Sequence, residues 1–107
     1  MIAFEVSLNG KRVCTAGADD LGVLSAIVSA CGKLGKKSVP HRPDETTGDV
    51  YFSVGGLTSR SDAKKDVHMK WKSVAPLAIG DVVQVRVVET DKVDRAKSRT
   101  RAKPRRA

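Results

Sequence analysis

From Asp19 to Gly35 the chain reads DDLGVLSAIVSACGKLG, and the fold class turns on the period of this stretch. Leu21, Leu24, Ile27, Val28, Cys31 and Leu34 recur at intervals of three and four. That spacing lays one apolar stripe along a helix. Asp19 or Asp20 can cap it, because a carboxylate there accepts orphan amide protons at the positive end of the helix dipole. Gly35 stands where a C′ glycine belongs, and Lys33, Lys36 and Lys37 surround the negative end. The stretch therefore predicts one amphipathic helix.

Outward from it the period is two. Ile2, Phe4, Val6 and Leu8 alternate with Ala3, Glu5 and Ser7, which predicts a strand with one dry face. Asn9-Gly10 follows, and a two-residue type I′ turn needs positive φ at both positions. That turn sets Leu8 opposite Lys11, Val6 opposite Val13 and Phe4 opposite Thr15, with the second strand running from Lys11 to Ala16. Downstream, Val50, Phe52 and Val54, then Val67, Met69 and Trp71, then Val83, Val85 and Val87 repeat the alternation. Pro76 is expected to end the fourth strand, since proline cannot donate to a ladder. Residues 36–48 and 58–66 read as long polar loops. The expected fold is α+β, a two-layer ββαβββ arrangement in which one helix covers one face of a mixed sheet.

The element order, together with Leu77-Ala78-Ile79-Gly80-Asp81-Val82-Val83-Gln84-Val85-Arg86-Val87, resembles the ubiquitin-like β-grasp fold over residues 1–90. The resemblance implies that the first and last strands pair in parallel at the sheet centre. Ubiquitin-like modifiers and sulfur carriers end in an exposed Gly-Gly. The only Gly-Gly here is internal, at Gly55-Gly56, and the chain ends Arg105-Arg106-Ala107, which speaks against a carrier role. Stretches such as LNGKRVCTAG, DLGVLSAIVSA, FSVGGLTSR and LAIGDVVQV also resemble short bacterial proteins of unassigned function, a likeness that implies no activity.

Charge divides the chain. The net charge is +8, of which residues 1–90 carry +2 and residues 91–107 carry +6. Arg95, Lys97, Arg99, Arg101, Lys103 and Arg105 fall on every second position, with Arg106 beside the last. Small and polar residues fill the gaps, so nothing there offsets the entropy of ordering the segment. The expectation is a folded domain over 1–90 and a disordered basic tail over 91–107. Seven cations of this kind could hold nucleic acid through its phosphates, without base stacking because the tail lacks aromatics.

The alternation also places Arg12, Tyr51, His68, Lys70, Lys72 and Arg86 on the wet face of the sheet. A cationic face with one aromatic could engage nucleic acid or an acidic protein surface. A solvated sheet face is polar in any case, and Lys70 and Lys72 would also block edge-to-edge pairing. Gly55-Gly56-Leu57-Thr58-Ser59-Arg60 invites a phosphate-loop reading but lacks the glycine-lysine spacing and a following helix, so a bulge or turn is preferred.

No catalytic residues, metal ligands or cofactor site are expected. Cys14, Cys31, His41 and His68 sit on four separate elements without structural-zinc spacing, and no nucleophile, base and stabiliser form a set. Two cysteines outside any CxxC pair fit a reducing cytoplasm. No apolar run is long enough to span a membrane, and the N-terminus lacks a signal-peptide pattern. Two functions of different class follow. One is a small non-enzymatic interaction module (adaptor, regulator or inhibitor) that binds a protein partner through its sheet face or long loops. The other is a nucleic-acid-associated protein working through its tail.

Overall fold

The computed structural model describes residues 1–39 and 48–102. Seven strands follow one another: β1 (Ile2–Leu8), β2 (Lys11–Ala16), β3 (Leu21–Cys31), β4 (Asp49–Thr58), β5 (Val67–Leu77), β6 (Val83–Glu89) and β7 (Ser98–Arg101). A single 3-10 turn, Ala63–Lys65, is the only helical element among the described residues. The strands form a three-stranded sheet ordered β2-β1-β6 and a four-stranded sheet ordered β3-β4-β5-β7, with every pairing antiparallel.

This overturns the expected α+β, β-grasp-like fold. The stretch read as a covering helix is β3, an eleven-residue strand paired with β4 from Leu21↔Thr58 to Cys31↔Asp49. Leu24, Ala26 and Val28 lie opposite Gly56, Val54 and Phe52, while Val23, Ser25 and Ile27 lie opposite Leu57, Gly55 and Ser53. Both faces of the strand thus carry apolar residues, and the threefold-fourfold spacing arises from superposing them. The first and last predicted strands do pair, but antiparallel and with β1 at the centre. β6 is at the sheet edge, not in its interior.

The Asn9-Gly10 turn forms as its chemistry requires, with φ of 52° and 81°. Asn9 also anchors the turn before β6. Its amide nitrogen donates to the Asp81 carboxylate at 3.0 Å, and its side-chain oxygen accepts from Val82 N–H at 2.8 Å. One correction to the hairpin concerns register. Leu8 faces Lys11 as expected, but a bulge between Val6 and Ser7 leaves Val6 opposite Cys14 and Phe4 opposite Ala16. The extra residue, Val13, turns Cys14 inward, where it is buried.

The core lies between the sheets. Val6, Cys14 and Ala16 from the three-stranded sheet meet Phe52, Val54, Met69 and Trp71 from the four-stranded one. Burying a side chain such as Phe52 contributes about 2–3 kcal/mol. The sheets touch where β2 crosses β5 and where β1 crosses β3. β6 overhangs that contact. Val85 and Val87 share a face with Val6 and Phe4, yet Val87 is 67% exposed. β5 runs through Pro76, which pairs with Tyr51. Proline is tolerated because β7 covers β5 only from Val67 to Lys70, leaving an edge beyond it.

The segment after β6 is not a solvated arm over its described length. Asp94 N–H donates to Thr15 O at 2.8 Å, Lys97 N–H to Lys70 O at 2.8 Å, and Ala102 N–H to Asp66 O at 2.9 Å. β7 pairs with β5, Met69↔Arg99 and Lys70↔Ser98 among the contacts. The disordered tail expected over 91–107 is therefore corrected for residues 91–102. Lys103, Arg105 and Arg106 lie outside the described residues.

Candidate functional site

The six predicted sheet-face residues do not share one surface, because there are two sheets where one was expected. Arg12 and Arg86 belong to the three-stranded sheet, opposite Ser7 and Glu5. Tyr51, His68, Lys70 and Lys72 belong to the four-stranded sheet.

Arg12 is also spent on structure. Its Nη2 lies 2.7 Å from both oxygens of Asp94, and its Nε and Nη2 donate to Thr15 Oγ1 at 3.2 and 3.0 Å. Asp94 Oδ2 further accepts from Thr15 N–H at 2.8 Å. The Thr15 N–H, and then the Arg12 guanidinium, hold the Asp94 carboxyl below the usual carboxylate range. Asp94 in turn raises Arg12. An ion pair so satisfied has little left to offer a ligand.

The four-stranded sheet presents a more available arrangement on its outer face. His68 lies across from Leu57 and Lys70 across from Gly55, with Lys72 following along β5. Gly55 has no side chain to fill the centre of this face, and Ser25 and Ser53 on either side are small. The result is a shallow hollow of about 340 Å³. His68, Lys70 and Lys72 line one wall, while Val23, Ile27, Leu57 and Val74 line the rest. Tyr51 sits further along β4 on the same face, its hydroxyl 3.3 Å from Cys31 Sγ. That hydrogen bond raises the Tyr51 pKa.

Three of the predicted face residues are thus brought together, but beside an apolar wall that sequence reasoning missed. The threefold-fourfold spacing places Val23 and Ile27 in a helix. Their spacing around Ser25 was the available signal, since i, i+2 and i+4 line one face of a strand.

The tail residues are dispersed. Arg95 and Arg99 border a second hollow, of about 320 Å³, that also meets Met69, Trp71 and Asp94. Arg101 Nε donates to Lys64 O at 3.1 Å, and Lys97 joins β5 through its backbone. The glycine stretch lies in β4 as far as Thr58, with a register shift against β5 between Val54 and Gly55, and Ser59-Arg60 lead into the following loop. Thr58 Oγ1 donates to Asp66 at 3.0 Å and accepts from Val67 N–H at 2.9 Å. Arg60 pairs with Asp20 at 3.0 Å and caps Lys65 O at 2.8 Å. These groups hold the Ser59–Asp66 loop in place rather than a phosphate.

Cys14 is buried and Cys31 exposed, and burial pushes the Cys14 thiol pKa up, away from nucleophilic character. Among the described residues, no three His, Cys, Asp or Glu side chains are grouped to hold a metal, and no helix is long and apolar enough to cross a membrane. His41 lies outside the described residues. No protein-family model matches the chain, and no curated protein or solved structure matches it significantly.

Proposed function

We propose that this protein is a non-enzymatic interaction module that docks an acidic, partly apolar protein segment on the outer face of its four-stranded sheet. The observation that carries this reading is the pairing of two chemistries in one hollow. His68, Lys70 and Lys72 supply positive charge at one wall, and Val23, Ile27, Leu57 and Val74 supply apolar area beside it. An extended segment alternating carboxylates with aliphatic side chains matches that division. Charge complementarity would steer its approach, and apolar burial would retain it. The absent side chain at Gly55 lets a partner's backbone come close. An adaptor, regulator or inhibitor role fits a surface of this kind, and no catalytic set is assigned.

The test is an NMR titration of the full chain with two probes. One is a synthetic peptide alternating Glu with Leu, and the other is a single-stranded oligonucleotide of similar length. Peptide-induced shifts are expected at Ile27, Gly55, Lys70 and Val74, and to vanish in Lys70→Glu/Lys72→Glu. Shifts produced only by the oligonucleotide, and centred on Arg95–Arg101, would transfer the assignment to the nucleic-acid reading. Peptide shifts unaffected by the double charge reversal would remove this face from contention.

A further inference from the structure

β3 is a free sheet edge eleven residues long, LGVLSAIVSAC, without a charge or a proline. Sheet edges are normally guarded by lysines, prolines, covering segments or shortness, because their unpaired amides and carbonyls template further pairing. The other three edges carry such devices. β6 bears Arg86, β2 is met by the Asp94–Thr15 backbone contact, and β7 has four residues of which two are arginine. β3 has none. It also shows apolar side chains to solvent on both faces, with Val23 52%, Ile27 51% and Val28 57% exposed.

The charges lie just outside the strand and have opposite sign at its two ends. Asp19 and Asp20 precede it, and Lys33, Lys36 and Lys37 follow it. Asp19 and Lys33 take part in no ion pair among the described residues.

We propose that two copies of this chain pair β3 against β3, antiparallel, about a two-fold axis at Ala26, joining their four-stranded sheets into one of eight strands. In that register Leu24 faces Val28 of the second copy, Ile27 faces Ser25, and Leu21 faces Cys31. Val28 then buries against Leu24 on one side of the sheet. On the other side Ile27 lies diagonal to Ile27 and Val23 of the second copy, within reach of branched side chains. The Asp19-Asp20 end of each strand falls opposite Lys33 of the other. A parallel pairing would set like charges together at both ends, so the flanking residues select the antiparallel one. An isologous contact of this kind uses the same patch twice and closes at two copies. A foreign strand would find no charge within β3 to recognise, whereas a second copy supplies the matching ends. The inference is independent of the docking role of the outer face: it shares Val23 and Ile27 with that hollow but is carried by the free edge of β3, not by the lysine wall.

Sedimentation of the full chain over a concentration series is the first measurement. A reversible species of about twice the 11.5 kDa chain mass is expected. In the Cys31→Ser background, Ala26→Cys should oxidise to an intermolecular disulfide, because directly opposed residues of antiparallel strands have Cα atoms about 4.5–5.5 Å apart, inside the range a disulfide spans. Leu21→Cys in the same background should not.

Val28→Lys should leave a monomer. Should that variant fail to fold, Lys33→Asp is informative, since it lies outside the strand. It should weaken the dimer by about fivefold through the loss of two exposed ion pairs, and Asp19→Lys should restore it. A chain that stays monomeric to submillimolar concentration would overturn the proposal. So would open-ended association, or a dimer that persists in Val28→Lys without an Ala26→Cys cross-link.

Discussion

The indole Nε1 of Trp71 donates to the backbone carbonyl of Asp94 at 2.8 Å, so a residue from the centre of β5 holds a residue five positions beyond β6. Through its carboxylate the same Asp94 holds Arg12 and Thr15 of β2. The two sheets are therefore joined by apolar packing and also by one polar clasp, and that clasp passes through the segment with the highest positive charge.

Trp71→Phe keeps most of the ring and removes the donor, leaving a partly buried carbonyl without its partner. A loss of about 1–2 kcal/mol is expected in urea unfolding followed by far-UV circular dichroism. Trp71→Ala, which also empties the core position, should cost about 3–5 kcal/mol. Equal losses from the two variants would show that the hydrogen bond, not the ring, dominates.

The clasp has a pH dependence of defined sign. A carboxyl whose pKa is depressed on folding stabilises the folded state above its unfolded value, about 3.9 for Asp. That contribution disappears as pH falls through the lower folded value. Asp94 has this direction because Thr15 N–H and then Arg12 favour its charged form. Its side chain is 40% exposed, so solvent screening limits the effect to about 1 kcal/mol or less. Urea midpoints should hold steady from neutral pH to about pH 4 and fall below it. The fall should be shallower, not absent, in Asp94→Asn, because Asp81 is depressed in the same direction by the Ala78 N–H and then by Asn9.

Deletions should separate the two roles of the C-terminal segment. Removing residues 98–107 takes away β7 and leaves the clasp, whereas removing residues 91–107 takes away both. Trp71 is the chain's single tryptophan, so its emission reports directly on the clasp. It should stay blue-shifted in the shorter deletion and move to the red in the longer one. Identical spectra and identical melting temperatures for the two would remove Asp94 as a structural link.

Thiol labelling should count one reactive cysteine in the native protein. Cys31 is exposed at the end of β3, and Cys14 is buried with a raised pKa. Cys31 should react first and Cys14 only on unfolding, so that Cys31→Ser abolishes the fast phase. A fast phase that survives this substitution would contradict the one-residue bulge that turns Cys14 inward.

Much of the strand content was legible. The period-two runs at β1, β2, β4, β5 and β6 and the Asn9-Gly10 turn carry their own local physics, and each forms. β3 did not announce itself, because Leu24 and Val28 face one side while Val23 and Ile27 face the other, which erases alternation. The signals against a helix were present but weak one by one. They are three β-branched residues, a glycine at position 22, and no charge on what would have been the solvent face. The ordering of the tail was not legible at all. Arg95 to Arg101 alternate as a strand does, but what draws them in is the indole of Trp71 and the unpaired edge of β5, both distant in sequence. For the candidate site the alternation assigned His68, Lys70 and Lys72 to one face correctly. It merges them with Arg12 and Arg86 because alternation within a strand does not say which sheet the strand joins.

The pairing of Ile2 with Glu89 and of Leu8 with Val83 has a consequence for how the chain is born. During synthesis the β1–β2 hairpin emerges before both the facing core residues Phe52, Val54, Met69 and Trp71 and its edge partner β6. At about 5–20 residues per second, that is a wait of several seconds with Phe4 and Val6 in water. Closure then depends on contacts far apart along the chain, the kind that form slowly. Nascent molecules of this protein should therefore pass through an interval in which chaperones that hold bare β-edges are their natural company.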